Sequence, residues 1–318
     1  MDLKTLTEIN APSGHEQAIR RFLLDELKKL GFAPVLDRMG NVVVVKEGTG
    51  DAPRKRVMVS AHMDEVGLIV TSATEDGYLR IAAAGGIDPR VLVSKRVTVG
   101  EDKLPGVIGA VPIHLQSAAE RKHVLSMDEL LVDIGAKNKD EAECKAPMGT
   151  YISFDTPYVE YGDGFACGKA FDDRVGCLSL LRLLQEELPV DLVACFVSEE
   201  EVGCRGAKGA AFQQEPDVGI VLEGTTCNDL GDVPETAHVC EAGHGVAVSF
   251  MDGASIANRA LFRKALDVAK QENIPHQVKH SVSGGNDGGA IQRAREGVPV
   301  VVLSVPCRYI HSPSCVVK

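Results

Sequence analysis

The chain has 318 residues, of which 44% are hydrophobic and 25% charged, so it can form one large domain or two with a core that needs no cross-links. Its formal net charge of −11 repels phosphate backbones and anionic lipids, which argues against nucleic-acid and membrane-surface partners. No signal-peptide pattern opens the sequence, and no apolar run approaches the ~18 residues of a membrane span. We therefore expect a cytoplasmic globular protein.

The first predicted element is an amphipathic helix. Ser13 followed by Glu16 is a capping-box pattern. Four apolar residues then share one helical face before Gly31 ends the helix, namely Ile19, Leu23, Leu27 and Leu30. Two short valine-rich runs, 41–45 and 56–61, follow and predict strands that are buried on both faces.

From about Gly67 to Gly164 the pattern changes to short β-type runs separated by Gly, Pro and Asp turns. This texture is typical of a small β-barrel. We therefore predict an inserted β-rich domain at 68–164, within a larger domain formed by 1–67 and 165–318.

After Gly164, predicted helices and strands alternate. The helices are 174–187, 205–212, 255–271 and 288–295, and the strands are 191–197, 217–222, 246–250 and 299–305. This alternation predicts an α/β domain with a mixed sheet and helices on both faces. The nine cysteines form no CxxC pair and most lie in apolar runs, which favours reduced core thiols over disulfides.

Polar residues follow the carboxyl ends of four predicted strands, and a fifth group lies in a loop that leads into a helix. The residues are His62 and Asp64, Glu199 to Glu201, Glu223, His311, and Asp172 with Asp173. Ligands of open α/β sheets bind at the carboxyl ends of the strands, so these groups are expected to meet. Two histidines with several carboxylates suit Zn²⁺, Co²⁺ or Mn²⁺. Two metals ~3.5–4 Å apart, sharing a carboxylate and a water, would perform hydrolysis.

Each group also has a simpler explanation when it is taken alone. Asp172 and Asp173 could cap a helix, and three adjacent glutamates could form a solvated loop. Glu223 is harder to explain, since a carboxylate after an apolar strand needs a partner. Asp64 stands two residues from His62, where it can accept the other ring N–H. The coincidence of all five groups favours a site.

The sequence resembles the M42 family of metallo-aminopeptidases, the glutamyl-aminopeptidase and tetrahedral-aminopeptidase group. The matching segments are APSGHE (11–16), AHMDEVGLIV (61–70), GKAFDDRVG (168–176), EEVGCRGA (200–207), GGNDGGAIQ (284–292) and RYIHSP (308–313). The resemblance implies a zinc-exopeptidase-like domain with an inserted dimerisation domain at 68–164. It also implies short peptide substrates and a homo-oligomer built from dimers, typically a dodecamer.

Residue by residue, the resemblance implies two divalent metal ions, Zn or Co and possibly Mn. The implied ligands are His62, Asp172, Glu201, Glu223 and His311, with Asp172 bridging. Glu200 is implied as the general base and Asp64 as the partner of His62. Glu199 is left to solvent or to a supporting contact.

Two departures from the family pattern stand out. Glu223 occupies a position where many relatives carry Asp, and Asp229 or Asp232 could be confused with that ligand. The chain also ends at Lys318, shortly after His311, where relatives usually continue into a closing helix. We expect the chain to fold, with weaker metal binding at His311.

Four alternatives stay open at this point. The same site could serve an amidase or deacylase that acts on non-peptide amides. Glu200 and Asp64 could be the carboxylate pair of a glycosidase. The protein could be a non-catalytic scaffold, or Cys307 near His311 could be a nucleophile. The GGNDGG loop lacks the P-loop Lys-Ser/Thr and is expected to line the substrate pocket through Asn286 or Asp287. The favoured interpretation is a dinuclear-metal aminopeptidase whose preferred N-terminal residue and physiological metal cannot be read from sequence.

Overall fold

The structure is a computed structural model that describes residues 2–318. Within these residues the α-helices are α1 (Leu3–Thr7), α2 (Gln17–Lys29), α3 (Lys139–Lys145), α4 (Phe171–Leu183), α5 (Arg205–Gln214), α6 (Arg259–Gln271) and α7 (Asp287–Gln292). The strands are β1 (Val35–Leu36), β2 (Val42–Lys46), β3 (Arg56–His62), β4 (Gly67–Ala73), β5 (Leu79–Ala84), β6 (Arg96–Val99), β7 (Leu104–Gly109), β8 (Leu131–Asp133), β9 (Tyr151–Phe154), β10 (Val159–Tyr161), β11 (Phe165–Gly168), β12 (Asp191–Val197), β13 (Val218–Thr226), β14 (Val246–Ser249), β15 (His276–Val278), β16 (Val300–Cys307) and β17 (Cys315–Val317).

An eight-stranded mixed sheet forms the larger part of the molecule, in the order β1-β2-β12-β3-β13-β16-β14-β15. Its four central strands, β12, β3, β13 and β16, run parallel to their neighbours in this group. β2 and β14 flank them in antiparallel orientation. The carboxyl ends of the parallel strands therefore meet at one edge, where open α/β sheets bind ligands.

Helices cover both faces of this sheet, because the central strands are apolar on both sides. On one face Leu23 of α2 and Leu181 of α4 pack in a core with strand residues such as Phe196. On the other face Ala210 of α5 and Ile291 of α7 pack in a second core. The predicted mixed-sheet α/β architecture is confirmed.

A closed barrel interrupts this domain, with the strand order β4-β5-β8-β7-β6-β9. It has its own hydrophobic core, which includes Leu68, Val97, Ile108 and Phe154. The barrel closes because its first and last strands pair, with Leu68 of β4 opposite Ile152 of β9. Closure leaves no free sheet edge. The predicted β-barrel is confirmed as part of the fold.

The capping-box prediction was wrong. Helix α2 begins after Glu16 with no side-chain cap, because the Ser13 hydroxyl donates to Asp64 Oδ2 at 2.7 Å. The Glu16 carboxylate is also engaged elsewhere, since it accepts the backbone N–H of Gly14 at 2.7 Å. Ser13 is thus used for a tertiary contact, and Glu16 for a local turn instead of a capping box.

Several boundaries also differ from the predictions. β13 continues to Thr226, so Glu223 lies inside this strand, opposite Ser304 of β16, rather than after its end. Helix α4 begins at Phe171, and helix α6 begins only after Asn258, whose side chain caps it. The sequence patterns missed α1, α3 and the three-stranded sheet β10-β11-β17, all of which are short.

All nine cysteines are free thiols, as the sequence indicates. Within residues 2–318 there is no helix with both the length and the apolar character needed to cross a membrane.

Candidate metal centre

His62 lies at the end of β3 and is buried, with both ring nitrogens engaged. Nε2 lies 3.3 Å from Asp172 Oδ1 and 3.2 Å from Glu223 Oε1. Nδ1 lies 3.1 Å from the backbone carbonyl oxygen of Asp64 and 3.6 Å from its Oδ1. The ring is therefore fixed from behind, with Nε2 directed at two carboxylates, as second-sphere contacts orient a ligating histidine.

His311 forms a matching group on the other side of Asp172. It lies in the loop between β16 and β17, with a positive φ of 56°. Its Nε2 lies 3.4 Å from Asp172 Oδ2 and 3.3 Å from Glu201 Oε2. The two oxygens of one carboxylate thus face two different histidines.

Asp172 is held between the histidines by the backbone around it. Asp172 and Asp173 lie in the first turn of α4 with non-helical dihedral angles, so their side chains do not follow the regular spacing of the helix. The Asp172 Oδ1 atom accepts the backbone N–H of Gly224 at 3.0 Å. A Cβ atom on Gly224 would stand 2.7 Å from that oxygen, so the approach requires glycine.

Asp173 is also close to His62 and Glu223. Its oxygens, however, accept the backbone N–H groups of His62 at 3.2 Å and of Gly176 at 2.9 Å. Because both of its oxygens are already used by the fold, Asp172 is better placed than Asp173 to act as a ligand.

The donor atoms fit divalent cations. They are imidazole nitrogens and carboxylate oxygens, the set that suits Zn²⁺ and similar ions. Glu223 Oε2 is buried and has no hydrogen-bond partner among residues 2–318. An unpaired buried carboxylate oxygen is costly, and a bound cation removes that cost.

The electrostatics of the centre also favour cations. Burial raises the pKa of Glu201 and of Glu223, the negative charge of Asp172 adds to this effect, and the nearby histidines offset it only in part. Burial opposes the charge on His311, but the hydrogen bond to Asp172 and the charge of Glu201 raise its pKa to about 10. In the described part of the chain, the only cationic partners in ion-pair contact with Asp172, Glu201 and Glu223 are His62 and His311.

Asp64 links the histidine side of the centre to the glutamate side. Its carboxylate accepts the backbone N–H groups of Glu200 at 3.0 Å and Glu201 at 3.2 Å, besides the Ser13 hydroxyl. Burial alone would raise the pKa of Asp64, but contacts with His62, Ser13 and Glu200 lower it below the usual value. Asp64 is therefore a stable anion, and its two hydrogen bonds fix the backbone positions of Glu200 and Glu201.

The three adjacent glutamates have different surroundings. Glu201 faces His311, whereas Glu200 lines a cleft of about 170 Å³ together with Asp172 and Glu223. Glu199 forms a partly exposed ion pair with Arg205 at 3.2 Å. Glu199 has a positive φ of 55°, so strict strand alternation ends there and the next two side chains can face one site.

Other candidates do not join this group. Asp229 pairs with Arg308 through two contacts of 2.7 and 2.9 Å, and Asp232 is exposed. Cys307 is buried, and its thiol pKa is raised by the contact with Cys315 and by burial, which argues against a thiolate nucleophile.

Sequence reasoning missed three residues that position the centre, namely Ser13, Gly224 and Lys169. Lys169 forms a buried ion pair with Glu65 at 2.7 Å. Glu65 follows His62 in the chain by three residues, and Lys169 precedes Asp172 by three residues. Lys169 and Glu65 lie within the motif segments 168–176 and 61–70, and this placement is the one sequence signal that could have pointed to them.

Comparison with known proteins gives a consistent result. The sequence model of the M42 glutamyl aminopeptidase family matches residues 40–318. The glutamyl aminopeptidase of Lactococcus lactis is 34% identical over 98% of this chain and 88% of its own, and the lysyl aminopeptidase of Pyrococcus furiosus is 34% identical over 98% and 89%. A solved structure of the Pyrococcus horikoshii TET1 peptidase superposes with a TM-score of 0.86 at 32% identity, over 99% of this chain and 93% of that one.

The fold, the buried histidine and carboxylate centre, and these similarities define a metal-dependent aminopeptidase. The chain belongs to the M42 glutamyl aminopeptidase family. The resemblance stated from the sequence motifs is confirmed, and the amidase, glycosidase and scaffold alternatives are not favoured.

Proposed function

We propose that the protein is a dinuclear-metal aminopeptidase that removes the N-terminal residue of short peptides. One observation supports this proposal above the others: the two oxygens of Asp172 lie 3.3 Å from Nε2 of His62 and 3.4 Å from Nε2 of His311. A carboxylate between two histidines is the arrangement of a bridging ligand. Glu223 completes the His62 side and Glu201 completes the His311 side.

The proposed ions are Zn²⁺ or Co²⁺, and Mn²⁺ also suits these ligands. When bound, such cations supply Lewis acidity, which lowers the pKa of water and stabilises negative charge on a carbonyl oxygen. The choice among them depends on availability rather than on the ligand set.

Glu200 is the proposed general base. Its carboxylate lines the cleft beside Asp172 and Glu223 and forms no ion pair with either histidine among residues 2–318, so it can exchange a proton. Burial raises its pKa, and the neighbouring charges of Asp172 and Asp64 act in the same direction. A base with a raised pKa can take the proton of the attacking water and later deliver it to the leaving amine.

Asp64 is proposed to position the base rather than to react. It accepts the backbone N–H groups of both Glu200 and Glu201, so one buried anion orients the base and a ligand together. Its own proton is not available, because its pKa lies below the usual value.

The barrel is proposed to mediate assembly. We propose domain boundaries at 68–164 for the barrel domain and at 1–67 with 165–318 for the catalytic domain. The loop between β7 and β8 exposes apolar side chains, namely Val111, Ile113, Leu115 and Val124. The similar TET1 peptidase is described as assembling into a tetrahedron or an octahedral shell. A cytoplasmic homo-oligomer built from dimers, up to a dodecamer, is the corresponding proposal here.

The proposal is tested by hydrolysis of aminoacyl-p-nitroanilides of Glu, Leu, Lys and Ala, with chelator and with added metals. We expect chelator-sensitive cleavage of at least one substrate, restored by Zn²⁺, Co²⁺ or Mn²⁺. The N-acetylated form of the best substrate is the control and is expected to resist cleavage. Cleavage of the acetylated form at an equal rate would instead identify an amidase or deacylase.

A further inference from the structure

A second group of ligand atoms lies beside the proposed metal centre. Glu200, Cys204 and Asp287 each offer one ligand atom, and these atoms lie within 4.8 Å of one another. The Cys204 Sγ atom lies 3.2 Å from Glu200 Oε1. None of the three belongs to the five ligands proposed for the two-metal centre.

Asp287 is the least compensated member of this group. It is only 1% exposed, and its Oδ1 atom has no hydrogen-bond partner among residues 2–318. Burial raises its pKa, and the charge of Glu200 adds to this effect. A buried carboxylate of this kind needs a cation or a proton.

The charge around the group stays negative even with two metals bound nearby. Seven carboxylates in and next to the centre are buried or nearly buried, and three of them line the cleft: Asp64, Asp172, Asp173, Glu200, Glu201, Glu223 and Asp287, of which Asp172, Glu200 and Glu223 line it. Two divalent cations neutralise four of these seven charges. A third cation next to Glu200 is therefore electrostatically acceptable.

The donor chemistry differs from that of the main centre. A thiolate with two carboxylates favours Zn²⁺ and softer ions such as Cd²⁺, while Mn²⁺ and Mg²⁺ prefer oxygen alone. A tetrahedral zinc with bonds of ~2.3 Å to sulfur and ~2.0 Å to oxygen places the sulfur and oxygen atoms about 3.5 Å apart. The observed distance between Cys204 Sγ and Glu200 Oε1 is 3.2 Å, which is close to this value. Cys204 is only partly buried, which gives an ion access from solvent.

We propose that Glu200, Cys204 and Asp287 form an inhibitory binding site for Zn²⁺ or Cd²⁺. The inference rests on the proposed role of Glu200 as general base. The thiol proton of Cys204 passes to water as sulfur binds the cation. Glu200 then holds the cation with the oxygen that would otherwise accept a proton, so turnover stops while both ions of the main centre remain bound.

The test uses the full-length enzyme loaded with its two metal ions and titrated with Zn²⁺ or Cd²⁺. Hydrolysis of the best aminoacyl-p-nitroanilide is followed together with the ultraviolet sulfur-to-cadmium charge-transfer absorption and the bound metal per subunit. In the unmodified enzyme we expect activity to fall as a third ion binds and the absorption appears.

Two variants and one control define the outcome. Cys204→Ser is expected to lack the absorption and to raise the half-inhibitory concentration by roughly tenfold or more. Asp287→Asn is expected to raise it as well, each variant being compared with its own activity before titration. Cys144→Ser, which removes an exposed cysteine, is expected to match the unmodified enzyme.

Inhibition of Cys204→Ser at the same concentration as the unmodified enzyme would overturn the proposal, as would an absorption that survives this substitution. If every form lacks aminopeptidase activity, the proposed function fails, but the absorption and the metal count still decide whether the third site exists.

Discussion

Lys169 and Glu65 form an ion pair that is almost sealed from solvent. The Lys169 Nζ atom lies 2.7 Å from both carboxylate oxygens of Glu65, and the two side chains are 4% and 2% exposed. Glu65 also accepts the backbone N–H of Ala11 at 2.8 Å. The pair therefore joins the segment after His62 to the loop before Asp172.

Substituting Lys169 with Met tests what this pair contributes. The change leaves the Glu65 carboxylate buried without its partner, which typically costs about 3–5 kcal/mol. We expect the free energy of unfolding, measured by urea titration, to fall by that amount. Lys145→Met removes an exposed pair with Glu141 and is expected to cost less than about 1 kcal/mol. Equal losses in both variants would contradict the prediction.

Glu200→Gln is expected to abolish most turnover and to leave both metal ions bound. Loss of a general base lowers the rate by roughly 10²–10⁴-fold, and the amide keeps the shape of the side chain. Turnover and metal content per subunit are the measurements. Glu199→Gln is the matched control, since Glu199 pairs with Arg205 outside the cleft, and should retain most of the activity. An E200Q enzyme within about tenfold of the unmodified enzyme would rule out the proposed base.

His311→Ala is expected to lose one of the two ions, because His311 contacts only the Glu201 side of Asp172. Asp172→Asn should lose both ions, since it weakens both sides at once. Elemental analysis after dialysis gives the metal content, and His123→Ala, at an exposed histidine, should keep two ions. Two ions retained in His311→Ala would refute the ligand assignment.

Chelation is expected to lower the melting temperature of the enzyme. An ion that binds only the folded state stabilises it by about 2.7 kcal/mol at a free concentration of 100 times Kd. Removal also leaves the Glu223 oxygen unpaired and restores the repulsion among the buried carboxylates. Calorimetry with and without chelator measures the change, which re-added Zn²⁺ or Co²⁺ should reverse. An unchanged transition would show that the centre binds no ion.

Gly224→Ala is expected to damage the centre without unfolding the protein. The added methyl would stand within 3 Å of three atoms of Asp172, so this side chain must move out of its position between the histidines. We expect a loss of metal affinity together with activity, while the circular dichroism spectrum is unchanged. Gly209→Ala in α5 adds a methyl that meets nothing closer than 3.6 Å and should be harmless. Full metal retention in G224A would show that Asp172 tolerates the displacement.

The sequence was informative where patterns are long or chemically unusual. The apolar strands and the barrel could be predicted from the periodicity of hydrophobic residues and from the turn residues between them. The candidate ligands could be predicted because polar residues directly follow apolar runs. The position of Glu223 inside β13 was not predictable, because the apolar run ends at Leu222 while the backbone pairing with β16 continues to Thr226. Pairing of a central strand thus overrides the side-chain pattern.

The contacts that orient the centre were the least predictable part. Ser13 matches a helix cap but bonds to Asp64, which is distant in sequence. Gly224 is required by the close approach of Asp172, a constraint that exists only once α4 and β13 pack together. Such roles depend on tertiary geometry, and local sequence carries no signal for them.

The pairing of Leu68 with Ile152 has a consequence for protein engineering. Because the first and last strands of the barrel are neighbours, the chain enters and leaves the barrel at nearly the same place, as in tolerated domain insertions. The whole barrel can then be treated as an exchangeable cassette. A barrel from a relative could be grafted in its place to test the proposed role of the barrel in assembly, with aminopeptidase activity as the check that the catalytic domain still folds.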